Sequence, residues 1–235
     1  WNISKTLGTN IIGGPYLGGN YWSDYTGDDL DVDGLGDTTY NISGGTNKDY
    51  LPLVNLEYNL IKKSGSTGKN WISIPITTTI TNASSLMELI GPNCDAINRW
   101  NPVTQNSEGW ISLFGGMGTN FDIVPGEGYE VSVTANTTFS VTGLTVTIDS
   151  IDLIKKSDST GKNWIGLPYD TTLENASSLM CLIGSNCDAV NRWNPNTQTP
   201  EGWISLIGGV GTNFDLVAGE GYEISVTGNT TCTPV

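Results

Sequence analysis

The chain carries one module twice, and this duplication limits its possible folds more than any other feature. Residues 70–76, NWISIPI, return at 163–169 as NWIGLPY, an offset of 93. At that offset GTNFDIVPGEGYEVSVT (118–134) aligns without gaps with GTNFDLVAGEGYEISVT (211–227), and NCDAINRWNP (93–102) with NCDAVNRWNP (186–195). Repetition at a fixed period marks one structural unit used more than once. The implied division is a short N-terminal unit, 1–58, a first module, 59–144, and a second, 145–235.

Each module reads as β-rich with one short helix. WISIPI alternates apolar and polar residues, as a half-buried strand does. ASSLMELIG (83–91) places Leu86, Met87, Leu89 and Ile90 at helical spacing, with Asn82 or Thr81 as the cap and Gly91 as the stop. AINRW, GWISLF, GYEVSV and TFSVTG read as strands between NP, GG and PGEG turns. The fold class expected is mainly β: a short N-terminal unit and two tandem small domains of sandwich or barrel form, each with one short helix. Trp71, Trp100 and Trp110 are expected to fill the first core, and Trp164, Trp193 and Trp203 the second.

Composition excludes several functions. The chain has 24 acidic and 10 basic residues, a formal charge of −14 and a pI near 4.1. Nucleic acid and anionic membranes need clustered Lys and Arg, so neither is an expected partner. No apolar run reaches the length of a membrane span. Opening at Trp1 is read as a processed product or a segment of a longer precursor. Six Asn-x-Ser/Thr sequons, at Asn2, Asn41, Asn82, Asn136, Asn175 and Asn229, make glycosylation and an extracellular location the expectation.

The one concentrated metal-like motif is GDDLDVDGLGD (27–37). Asp29, Asp31 and Asp33 alternate, Gly34 follows for the sharp turn, Leu35 offers a backbone carbonyl and Asp37 a further carboxylate. Carboxylates at positions one, three and five followed by a glycine open an EF-hand-type calcium loop. Tyr40 stands where the full motif has a bidentate Glu, so the loop fits a structural Ca2+ staple better than a sensor. Fifty-eight residues build little core by themselves, which favours such a staple.

Elsewhere chemistry is sparse. There is no His, hence no Ser-His-Asp or Cys-His apparatus. Glu108, Asp122, Glu127 and Glu130, with Glu201, Asp215, Glu220 and Glu223, would be the carboxylates for glycoside hydrolysis, but their faithful duplication suits structure, and no enzyme is expected. Arg99 and Arg192 are expected to pair with a carboxylate or stack on Trp. Tyr16, Tyr21, Trp22 and Tyr25 lie among glycines, where packing is favoured over sugar stacking. Cys94, Cys181, Cys187 and Cys232 allow three disulfide connectivities. Cys181 and Cys187 would close a small loop, and Cys232 would pin the C-terminus.

NWISIPI, a helix, GW and then PGEGYEVSV together resemble a β-domain of archaeal and bacterial cell-surface proteins, in which it serves as a repeated spacer or adhesion unit. Ala218 in place of Pro125, and Gly166 in place of Ser73, are the departures of the second copy. WNISKTLGTNIIGGPYLGGNYWSDYTG with the acidic loop behind it resembles the closing segment of parallel β-helix surface proteins of methanogenic archaea, related to periplasmic copper-maturation proteins. What the resemblances imply is a non-enzymatic, calcium-stabilised glycoprotein of a microbial surface layer, sheath or filament. It would self-associate or meet neighbouring surface proteins, with the free segment WNISKTLGTNII donating a strand. The other reading is a carbohydrate-binding or adhesion module with glycans as partners.

Overall fold

The computed structural model describes residues 4–8, 16–17, 19–20, 22, 25, 27, 35–53, 55–169 and 171–234, and in them the protein is mainly β. The strands before the first repeat are β1 (Thr6–Leu7), β2 (Tyr16–Leu17), β3 (Tyr40–Asn41), β4 (Lys48–Asp49) and β5 (Asn55–Leu60). The first copy then supplies β6 (Lys69–Ser73), β7 (Ile76–Thr77), α1 (Ala83–Ile90), β8 (Cys94–Asn101), β9 (Asn106–Ile111), β10 (Met117–Gly118), β11 (Gly128–Val133) and β12 (Thr137–Thr142). After β13 (Leu144–Thr145) and β14 (Ile151–Leu153), the second copy repeats the series. It runs β15 (Lys162–Gly166), α2 (Ala176–Ile183), β16 (Cys187–Asn194), β17 (Thr199–Ile204), β18 (Val210–Gly211), β19 (Gly221–Val226) and β20 (Thr230–Cys232).

The described chain forms two compact units. One comprises Trp1–Tyr58, Ile76–Thr79 and Phe139–Val146; the other comprises Asn59–Pro75, Ile80–Thr138 and Thr147–Val235. Most of both repeat copies therefore shares the second unit. Each copy builds an antiparallel five-stranded sheet of the same order, β6-β11-β8-β9-β10 and β15-β19-β16-β17-β18.

Alternation along β11 shows how each sheet gains two working faces. Tyr129, Val131 and Val133 are buried, and Val131 stands opposite Ile97 of β8. Glu130, between them, faces the other way. The helix adds Ala83, Leu86 and Ile90, its buried stripe. In the second copy the same apolar face gathers Ile165, Leu167, Leu179, Val190, Phe214, Tyr222, Ile224 and Val226 into one core.

Both helices start and stop as the sequence indicates. Asn82 caps α1: its side chain accepts from Ser85 N at 3.0 Å, and Ser85 Oγ accepts from Asn82 N at 3.1 Å. Asn175 and Ser178 repeat this at α2. Gly91 and Gly184 end the helices at φ 90° and 85°, in the left-handed region that glycine occupies without strain.

The expected placing of the tryptophans is corrected. Trp71, Trp100, Trp164 and Trp193 are not core residues of their own modules. They project from the face opposite the helix, because Trp71 is the cross-strand partner of Glu130 and not of the buried Tyr129. Trp110 stands opposite buried Ile97 and is half-buried at the core's edge, and Trp203 packs against the second core in the same manner.

In the first unit β1 pairs with β2 and β3 with β4, and an isolated bridge joins Leu35 to Leu53. Trp22 stacks on Tyr40 with ring centroids 4.4 Å apart, and Tyr58 on Phe139 at 4.6 Å.

Candidate functional site

The second unit holds its most elaborate polar and aromatic constellation between the two copies. Trp71 meets Trp164 at 5.7 Å and Trp193 at 6.0 Å, and Trp100 meets Trp164 at 6.0 Å. The contacts are reciprocal under the repeat. Gln105 Oε1 accepts from Lys162 N (3.1 Å) while its Nε2 donates to Lys162 O (2.9 Å); Gln198 does the same to Lys69 at the same distances. Lys162 Nζ lies 5.3 Å over the Trp100 ring and Lys69 Nζ 5.9 Å over Trp193. This is an isologous interface, normally seen between two subunits, here made within one chain.

A buried carboxylate in one copy and a part-buried one in the other tie the tryptophans to their sheets. Glu130 accepts from Trp71 Nε1 (3.2 Å) and Asn98 Nδ2 (3.2 Å) and pairs with Lys69 at 2.9 Å. Glu223 repeats the set with Trp164, Asn191 and Lys162. A buried carboxylate is tolerated when such donors satisfy it.

The GEGY motif has a steric cause at this interface. Gly126 and Gly219 turn the chain at φ 91° and 85°. Ile72 bridges to Glu220 and Ile165 to Glu127, with Ser73 N donating to Gly219 O (2.8 Å) and Gly166 N to Gly126 O (3.0 Å). A Cβ on Gly128 would sit 2.8 Å from Ile165 O, and one on Gly221 2.7 Å from Ile72 O. Only glycine lets the backbones approach so closely. At the centre of symmetry the two copies differ: a Cβ on Gly166 would overlap the Cβ of Ser73.

The sequence reading passed over Gln105 and Gln198. A signal was present: Thr-Gln is retained in both copies (104–105 and 197–198) while Val103, Asn106 and Ser107 become Asn196, Thr199 and Pro200. Both glutamines have positive φ, 58° and 59°, a backbone state that non-glycine residues adopt at a cost.

On the core side, Arg99 Nε donates to Glu108 Oε2 at 2.8 Å, its Nη1 lies 3.8 Å from Glu127, and it covers the Phe121 ring at 5.0 Å. Arg192, with Glu201, Glu220 and Phe214, repeats the arrangement. The stacking partner is therefore Phe, not Trp. Hydrogen bonds from Asn101 and Arg99 hold the Glu108 carboxyl below its ordinary 4.5, whereas burial pushes Glu127 up against the pull of Arg99. Glu130 lies on the opposite face of the sheet from Arg99, so the eight candidate carboxylates do not converge on one point.

These shifts act in opposite senses on stability. Glu108, with its folded value lowered, stabilises fully above 4.5 and loses this as pH falls through the folded value. Glu127, raised, contributes most at low pH and loses it as pH rises through its folded value. Glu108→Gln is expected to cost about 1 kcal/mol at neutral pH in urea unfolding. The gap to wild type closes as pH falls through the lowered folded value, where the wild-type carboxyl is itself protonated.

Beside the tryptophans lies a cavity of about 200 Å³ whose lining includes Trp100, Trp164, Glu127, Asp152, Asn163 and Ile165. Trp100 Nε1 is buried and has no hydrogen-bond partner, as is Trp193 Nε1.

In the first unit Asp49 is wholly buried. It accepts from Trp22 Nε1 (2.7 Å), Asn20 Nδ2 (2.8 Å), Leu51 N (3.1 Å) and Asn20 N (3.3 Å). Tyr25, also buried, donates its hydroxyl to Thr38 O at 2.7 Å. Both residues hold structure, and Tyr16 lies under Lys5 Nζ at 4.7 Å; Tyr21 lies outside the described residues. So do Asp29, Asp31 and Asp33. Of the expected ligands Leu35 is buried and bridged to Leu53, and Asp37 is described. Among the described residues no group of three or more Asp, Glu or Cys is placed to hold a metal. The two ends of the acidic run are brought together, because Gly27 and Gly36 both lie against the Tyr25 phenol with no room for a Cβ.

Of the sequons, Asn2 lies outside the described residues and Asn41 is exposed on β3. Asn82 and Asn175 are helix caps. Asn136 and Asn229 are exposed, and their side-chain oxygens accept from Lys62 N (2.8 Å) and Lys155 N (2.7 Å). All four Cys are thiols here: Cys94, Cys187 and Cys232 buried, Cys181 exposed on α2. Among the described residues no helix is long and apolar enough to cross a membrane.

No curated protein and no solved structure matches the chain. Residues 1–27 match the family described as Periplasmic copper-binding protein (NosD), a similarity confined to that segment and in line with its expected resemblance to β-helix surface proteins.

Proposed function

We propose that the chain is a non-enzymatic structural protein of a microbial cell surface, a subunit of a surface layer, sheath or filament of an archaeal kind. The observation that carries this reading is the isologous pairing of the two copies. Their aromatic faces are spent on one another, and Glu108, Glu127, Glu130, Glu201, Glu220 and Glu223 are engaged by Arg, Lys, Trp or Asn. Such a duplicated, cross-braced body suits transmission of force or spacing. The match of residues 1–27 supports an extracellular setting. Strand donation by the N-terminal segment would exchange the β1–β2 pairing for the same pairing with a neighbour. Electron microscopy of the purified chain tests this: filaments or sheets are the expected result, and a monodisperse monomer under all ionic conditions rejects assembly.

The acidic loop is proposed to hold Ca2+ through Asp29, Asp31, Asp33, Asp37 and the Leu35 carbonyl. The closure of Gly27 and Gly36 on Tyr25 supports a compact loop of the kind a structural ion requires. Calorimetry is expected to show one calcium bound and a lower melting temperature in chelator; unchanged melting would count against the site. Glycans on the sequons complete this picture, with Asn41, Asn136 and Asn229 exposed.

A second reading, a carbohydrate-binding or adhesion module, is favoured by one observation: an unpartnered indole N–H beside a cavity lined by two tryptophans. A glycan array that responds to the wild type and not to Trp100→Ala would support it.

A further inference from the structure

Cys187 and Cys232 are 3% and 0% exposed and belong to the same apolar core, with Leu179, Val190 and Ile224. The chain path brings them to one place. Thr227 N donates to Asn186 O at 2.8 Å, fixing the residue before Cys187 to the turn from which β20 departs. The strand then runs antiparallel to β14 with Cys232 opposite Ile151. The thiols also sense one another. Burial first, then the charge of Asp188 and last that of Cys232, push the Cys187 thiol up to about 12.

The first copy shows what this replaces. At the positions of Ile151 and Cys232 it has Tyr58 and Phe139, stacked at 4.6 Å. The second copy has given up an aromatic pair and placed a thiol in the core that already holds Cys187. Cys94, the counterpart of Cys187, has no cysteine at the corresponding position 139.

We infer that Cys187 and Cys232 form a disulfide when the chain folds in an oxidising compartment, leaving Cys94 and Cys181 as thiols. The two thiols lose two protons and two electrons as the sulfur–sulfur bond forms. An external disulfide, such as glutathione disulfide or the disulfide form of a thiol–disulfide oxidoreductase, accepts them and becomes two thiols. Exchange requires thiolate, and the buried thiols are pushed up to about 12 and about 11, so the bond forms during folding and not afterwards. The bond would staple the last strand to the start of β16 by restricting the unfolded chain.

The full chain is refolded with a reduced and oxidised glutathione mixture, which supplies the oxidant whatever the cellular location. Failure of the pairing is then distinct from failure of the extracellular reading. Thiol counting in denaturant without reductant is expected to give two reactive groups, rising to four after reduction. A non-reduced digest is expected to contain the Cys187 peptide linked to the Cys232 peptide. Reductant should lower the melting temperature by on the order of 5 °C in wild type and in Cys94→Ser, and not in Cys232→Ser. Four free thiols overturn the proposal, and so does a Cys181–Cys187 or any other linkage.

Discussion

Gly166→Ser is expected to destabilise the chain by about 2 kcal/mol, through overpacking at the centre of the interface between the copies. The new Cβ would occupy the space of the Ser73 Cβ, and both strands are held in place by the flanking bonds to Gly126 and Gly219. Ser73→Gly alone is expected to cost less, about 1 kcal/mol, for the bond from Ser73 Oγ to Glu220 O at 2.9 Å. The two together restore most of the wild-type stability, because the exchanged chain again has one side chain at that point, and residue 166 can then reach Glu127 O as Ser73 reached Glu220 O. Denaturant unfolding of all four chains gives the coupling energy directly. Additive losses would show that the two positions do not compete for space. The difference between the copies, at first only a departure from a motif, is thus a requirement of symmetry: two identical side chains cannot occupy one location on the axis.

Asp49→Ala is expected to lose about 3 kcal/mol or more, localised to the first unit. It strands the Trp22 indole, the Asn20 amide and the Leu51 N–H, part-buried donors aimed at a carboxylate that is itself wholly buried. Amide hydrogen exchange is the informative measurement, since it separates regions. Protection should fall at Asn20, Leu51 and Leu53, whose N–H donates to Asn20 O at 3.0 Å, and remain at Val131 and Ile224 in the second unit. Unchanged exchange at Leu51 and Leu53 would mean that Asp49 does not organise this segment. The residue escaped notice in the sequence because an Asp between Lys48 and Tyr50 has no pattern to distinguish it from a solvated turn; its four donors come from residues 20, 22 and 51.

Local elements were legible because local chemistry dictates them. Asn82 and Asn175 cap their helices through groups three residues away, and Gly91 and Gly184 stop them with a backbone state that glycine alone adopts freely. Such information lies within one turn of chain. The tryptophans show where this stops. A Trp in an alternating strand must be buried on one of two faces, and alternation says nothing about which face meets which partner. Both faces of these sheets are covered, one by the helix and one by the other copy, so a polar-out, apolar-in expectation assigned Trp71, Trp100, Trp164 and Trp193 to the wrong side.

By itself the sequence determined a mainly β chain, its duplication, the helix limits and the positions of its turns, since each follows from spacing and from the conformational freedom of glycine and asparagine. Only the tertiary structure decided that the copies close on one another about a local twofold, that Gln105 and Gln198 clasp the opposite strand, and that Gly166 must yield space to Ser73. These depend on contacts between residues 57 to 147 positions apart. Apposition of surfaces is a property of the folded body, and no local propensity encodes it.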